Sequence, residues 1–126
     1  MEPKTQSHLA TAEANHAFPI DVANAFASGY PSLEWAAVIA YYAAVHYVNA
    51  YLWEHGNHFE PRTHDEREFA VASITDLRPV IQEYRRLRWL GERARYVPGF
   101  RVPVGRVQSL VNVELAAVAA HVRSLI

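Results

Sequence analysis

The sequence contains no cysteine, which removes disulfides, thiolate metal sites and a cysteine nucleophile together and leaves packing to hold the interior. It also lacks a nucleophile elbow, a glycine-rich phosphate loop and a dinucleotide fingerprint. Neither sign of charge dominates: 12 basic against 13 acidic residues leave a formal charge of −1, so no global attraction to nucleic acid or anionic lipid is expected. No segment alternates apolar and polar residues with β-branched enrichment, and no Asn-Gly or Asp-Gly hairpin turn occurs, so strands are not expected. The first residues, "MEPKTQSHLATAEANHAF", lack a basic stretch followed by an apolar one; a secretory signal is not expected, and the reading is a cytoplasmic protein. There is no internal repeat and no low-complexity tract.

What is present is a chain of 126 residues, 51% hydrophobic and 20% charged, the composition of one well-packed domain spanning 1–126. Lys4 is the only lysine, so arginine supplies the remaining basic residues, and most of these fall between Arg78 and Arg106 beside only Glu83 and Glu92. Arginine offers a planar fork to phosphate or carboxylate. The alternative is a set of solvated helix faces.

The run "WAAVIAYYAAVHYVNAYLW", Trp35 to Trp53, carries no formal charge and approaches the ~20 residues that cross a bilayer. It is rich in alanine and tyrosine rather than leucine, holds His46 and Asn49, and has no flanking basic cluster. A buried central helix is expected instead, with no membrane partner.

Helical punctuation divides the rest. A first helix is expected from Thr5 to about Ala17, ending before Pro19, followed by a short piece from Asp21 to Ser28 and a break at "SGYPS". Pro31 suits the first turn of the long helix, which Gly56 and Asn57 end. Thr63 and Glu66 form a capping box that starts a helix at His64. Asp76 is expected to cap the next helix, with Pro79 in its first turn and Leu77, Val80, Ile81, Tyr84, Leu87 and Ala94 at helical spacing, until "VPGF" stops it. A last helix from about Val104 puts Val107, Leu110, Val111, Leu115, Val118, Val122 and Leu125 on one face. The expected fold is all-α, an up-down bundle of four main helices with a short fifth.

Three segments, Tyr41, Tyr42, Ala43 and His46 on the central helix, His64 and Arg67 as H-x-x-R, and Ala94, Arg95 and Tyr96, resemble in their order and spacing the HEPN superfamily (higher eukaryotes and prokaryotes nucleotide-binding). Together they cover about Leu9 to Tyr96. The resemblance implies a helical bundle, frequent homodimerisation, and RNA cleavage or nucleotide binding in toxin–antitoxin and defence systems. Ribonuclease members of the superfamily carry R-x4-6-H. No arginine here stands at that spacing before a histidine.

Residues 42, 46, 49 and 53 share one helical face, so Tyr42, His46 and Asn49 could bind a base or exchange protons, or His46 could be a satisfied core histidine. His64 and Arg67 share a face at a helix start that favours phosphate, although Asp65 and Glu66 oppose it; the structural alternative pairs Arg67 with a carboxylate. Arg95 and Tyr96 close the next helix and could hold a phosphate and stack a base, or Arg95 could serve the helix dipole. His55, His58 and His64 match no zinc template, so neither a metal nor another cofactor is expected.

The leading expectation is a non-catalytic, homodimeric HEPN-like module that binds RNA, a nucleotide or an antitoxin-like protein partner, with Tyr42, Asn49, Arg95 and Tyr96 on the ligand. The second is a metal-independent endoribonuclease using His46, His64 and Arg67. The third is a purely structural oligomerisation domain.

Overall fold

The computed structural model describes the backbone of residues 1–25 and 33–126 and the side chains of 1–18 and 33–126. The helices are α1 (Pro3–Ala25), α2 (Leu33–His55), α3 (His64–Ser73), a 3₁₀ turn (Arg78–Val80), α4 (Ile81–Tyr96), α5 (Val104–Ser109), a π-helical segment (Leu110–Leu115) and α6 (Ala116–Leu125). No strand occurs among the described residues, and the fold is the all-α bundle expected.

Helix α2 is the axis of the bundle. Leu33, Ala36, Ala37, Ala40, Tyr41, Ala44, Val45, Tyr47, Val48 and Leu52 are all buried, and from Leu33 to Trp53 the buried positions leave only the stripe of Trp35, Ile39, Tyr42, His46, Asn49 and Trp53 exposed or half-buried. That is why the segment is uncharged: helices α1, α4, α5 and α6 and the π-helical segment cover it on several sides. Alanine on so many of its faces lets neighbours approach closely. No helix among the described residues is long and apolar enough to cross a membrane.

Helix α1 differs from expectation in running through Pro19 to Ala25. An interior proline removes one backbone hydrogen bond and costs about 3 kcal/mol. The docking of α1 along α2 offsets that cost: Thr5 and Ala12 are buried, Thr5 Oγ1 donates to Glu54 Oε2 at 2.7 Å, and His8 and His16 meet His46 and Tyr47. The rest of the expected short piece, the break at "SGYPS" and the role of Pro31 lie outside the described residues.

The end of α2 and the start of α3 follow their signals. Asn57 and His58 take left-handed φ values of 57° and 59°, the conformation that turns a chain out of a helix and that asparagine tolerates. His58 is held there by stacking on Trp53, centroids 4.4 Å apart, and by Glu2 at 2.9 Å. Thr63 Oγ1 then accepts the Glu66 N–H at 3.0 Å, while the Glu66 carboxylate accepts from Arg62 N at 2.9 Å, one residue earlier than in the usual box.

One expectation fails further on, and another holds with an addition. Asp76 caps nothing: the chain enters a 3₁₀ turn after Leu77 with no side-chain cap, and the Asp76 carboxylate instead accepts from the buried Tyr51 hydroxyl at 3.0 Å. A buried phenol without that acceptor would lose a hydrogen bond. The last helix is interrupted by the π-helical segment, a wider turn common at functional sites. It brings Glu114 into the interior, 5% exposed, where Arg86 and Arg106 approach Oε1 at 3.5 and 3.2 Å.

Helices α2 and α4 approach closely at Gly91. A Cβ there would stand 2.7 Å from Tyr41 Cβ and 3.3 Å from its Cγ. Gly91→Ala therefore forces α4 away from α2, and urea denaturation should show a loss of about 1–3 kcal/mol rather than the stabilisation that Gly→Ala gives in an unobstructed helix. An unchanged or higher midpoint would refute the contact.

Candidate functional site

The expected site residues converge on one side of α2. At its centre is Arg67, 8% exposed and reaching inward from α3. Its Nε donates to Asn49 Oδ1 at 2.9 Å, Nη1 to His64 Nδ1 at 3.3 Å and Nη2 to the Pro61 carbonyl at 3.2 Å. A buried guanidinium needs such acceptors. The carboxylate partner envisaged for it is not there: among the described residues no Asp or Glu forms an ion pair with Arg67.

This geometry sets the state of His64. Arginine only donates, so Nδ1 presents its lone pair; the Tyr41 hydroxyl then donates to the same nitrogen at 2.8 Å, and Tyr84 stands 3.5 Å behind Tyr41. The neutral ring carries its proton on Nε2, which forms no hydrogen bond among the described residues. Burial, and next the Arg67 charge, hold the His64 pKa below its usual value. His64 is thus a neutral hydrogen-bond donor near pH 7.

His46 is half-buried rather than sealed. Its Nδ1 lies 3.0 Å from Nδ1 of His8, so one ring donates and the other accepts. Burial leads in lowering both pKa values, with His8 and Arg67 adding to the shift of His46, and Lys4 and Arg67 outweighing part of what Glu60 contributes at His8. Nothing in the sequence pointed to His8, because its position depends on how α1 lies against α2.

The opposite end of the row is aromatic. Tyr42 lies 6.0 Å from the His64 ring, and its hydroxyl accepts from Arg95 Nη1. The Arg95 guanidinium stands 5.2 Å from the Tyr96 ring, and Tyr96 is 64% exposed. Arg95 therefore serves Tyr42 rather than the carbonyls at the end of α4. The two carboxylates that seemed to oppose an anion at α3 are both engaged: Asp65 by Arg88 at 2.7 Å, and Glu66 by the cap. Arg88 also holds Glu92 at 2.8 Å and Glu68 at 3.6 Å. The Arg88–Glu92 spacing was legible as an i,i+4 pair; the capture of Asp65 across helices was not.

What results is an all-α bundle presenting a continuous polar row: His8, His46, Asn49, Arg67, His64, Tyr42, Arg95, Tyr96. The HEPN domain family matches residues 20–116. The chain belongs to that family. No curated protein and no solved structure matches it significantly.

The four histidines with lowered pKa values, His8, His16, His46 and His64, give stability a definite pH dependence. Each binds its proton more weakly folded than unfolded, so the stability is complete above the unfolded value of about 6.5 and is lost as pH falls through the folded values. Melting temperature should drop between pH 7.5 and 5. His8→Gln, which cannot take a second proton beside His46, should flatten that slope; an unaltered slope removes the His8–His46 pair as its cause.

Proposed function

We propose that the chain is a cytoplasmic, homodimeric HEPN module that binds RNA or a nucleotide without cleaving it, in a prokaryotic defence or toxin–antitoxin setting with an antitoxin-like partner. One observation carries the binding reading. Arg67 and Arg95 flank the Tyr42–His64 contact, and among the described residues neither forms an ion pair. Positive charge beside the exposed Tyr96 ring suits a phosphate backbone and a stacked base. Asn49 acts through Arg67, and Tyr42 through Arg95.

The same geometry weighs against catalysis. A histidine that takes the 2′-hydroxyl proton needs a free lone pair, and His64 presents N–H. Arg67 is turned inward onto three protein acceptors, leaving it to position His64. His46 retains a half-exposed neutral ring, and this keeps the endoribonuclease as the second reading. A purely structural role sits poorly with contact between all three motifs.

Mixed RNAs incubated with the purified protein, with and without chelator, should remain intact. Arg95→Ala and Tyr96→Ala should each weaken RNA association about 5- to 100-fold, the range of one stacked base or its flanking charge, with unchanged helicity. RNA cleavage that His46→Ala abolishes would establish the endoribonuclease instead.

A further inference from the structure

Beyond Tyr96 the polar row ends in a pocket of about 280 Å³ between the start of α2 and the turn after α4. Its walls combine two kinds of surface. Trp35 is 60% exposed and Tyr96 64%, and with Phe100 they supply flat apolar faces. Glu34 lines the same pocket although it is only 8% exposed. Its Oε1 stands 3.6 Å from Arg101 Nη1, and its Oε2 is buried with no hydrogen-bond partner among the described residues. A buried carboxylate oxygen left unpaired is costly.

The charges narrow the ligand. Glu34 disfavours an anion inside the pocket, and Arg95 and Arg101 disfavour a cation. A neutral planar ring with N–H groups on its edge satisfies both, and a phosphate attached to it meets Arg95 at the mouth. Among the nucleobases only guanine offers two adjacent donors, N1–H and N2–H, to a carboxylate, beside an acceptor, O6, for a guanidinium. Adenine and cytosine would turn a ring lone pair toward Glu34, and uracil has a single N–H.

From this complementarity we infer that the pocket reads guanine: a side-chain rotation of Glu34 that turns Oε2 from the interior to the pocket lets its carboxylate accept from N1–H and N2–H, Arg101 donates to O6, and Trp35 and Tyr96 stack on the ring. The inference rests on the nucleotide-binding reading above and adds its base preference. Nothing local marks either residue: Glu34 stands in the first turn of α2 and Arg101 in the chain between α4 and α5.

Calorimetric titration of the full chain with GMP, IMP, AMP and UMP tests it. GMP should bind about tenfold or more tighter than AMP and UMP, the discrimination of a bidentate contact, with IMP between because it lacks the 2-amino group. Glu34→Gln should bring GMP to the level of UMP, while Tyr96→Ala weakens all four alike. Arg101→Ala, at a side chain 70% exposed, should also reduce the preference for GMP, with unchanged helicity showing that the fold survives. Equal affinity for all four nucleotides, or a preference that survives in both Glu34→Gln and Arg101→Ala, overturns the guanine assignment and leaves the binding reading standing. No binding of any nucleotide, and none of RNA, overturns both.

Discussion

The contact between Tyr41 and Gly91 is the constraint on which the rest of the molecule depends. With no side chain at Gly91, α4 closes against α2 until Tyr41 has no room for another carbon. That closeness seats the Tyr41 hydroxyl between Tyr84 and His64. It also places Arg95, one helical turn beyond Gly91, within reach of the Tyr42 hydroxyl. Two neighbouring tyrosines on α2 thus face different ends of one site, Tyr41 ordering His64 from within and Tyr42 anchoring Arg95 at the surface.

Arg67 gives the site its electrostatic character. A guanidinium that is nearly buried and met only by neutral acceptors projects its charge onto His8, His46 and His64, and contributes to lowering the pKa of each. The outcome is three histidines that stay neutral near pH 7 around one positive centre. The proposed recognition of an anion rests on this arrangement. Arg88 completes the balance by engaging Asp65, Glu68 and Glu92, which would otherwise repel an anion from α3.

Wherever the information was local, the fold was legible. The Thr63–Glu66 cap, the Gly56–Asn57 exit and the stop near Pro98 follow from backbone hydrogen bonds and allowed dihedral angles within a few residues. Three features were hidden because packing overrode a local rule. Proline did not end α1, since docking on α2 outweighs one lost hydrogen bond. Asp76 did not cap, because the buried Tyr51 hydroxyl needed an acceptor. The π-helical segment left no mark in a pattern whose apolar positions fit an ordinary helix. Of the candidate site, the motif residues were legible as separate pairs; their joining through Arg67–Asn49, Tyr41–His64 and Arg95–Tyr42 was not.

By itself the sequence determined the all-α class, the buried α2, the start of α3 and the identity of the residues able to carry chemistry, because each depends on periodicity or on neighbours a turn away. Only the tertiary structure decided what those residues do. Which nitrogen of His64 faces outward, whether Arg67 meets a carboxylate, and whether Glu34 lies at the end of a helix or in the wall of a pocket are questions of distance between segments far apart in the chain. Those distances are set by how closely α1, α3 and α4 settle onto α2.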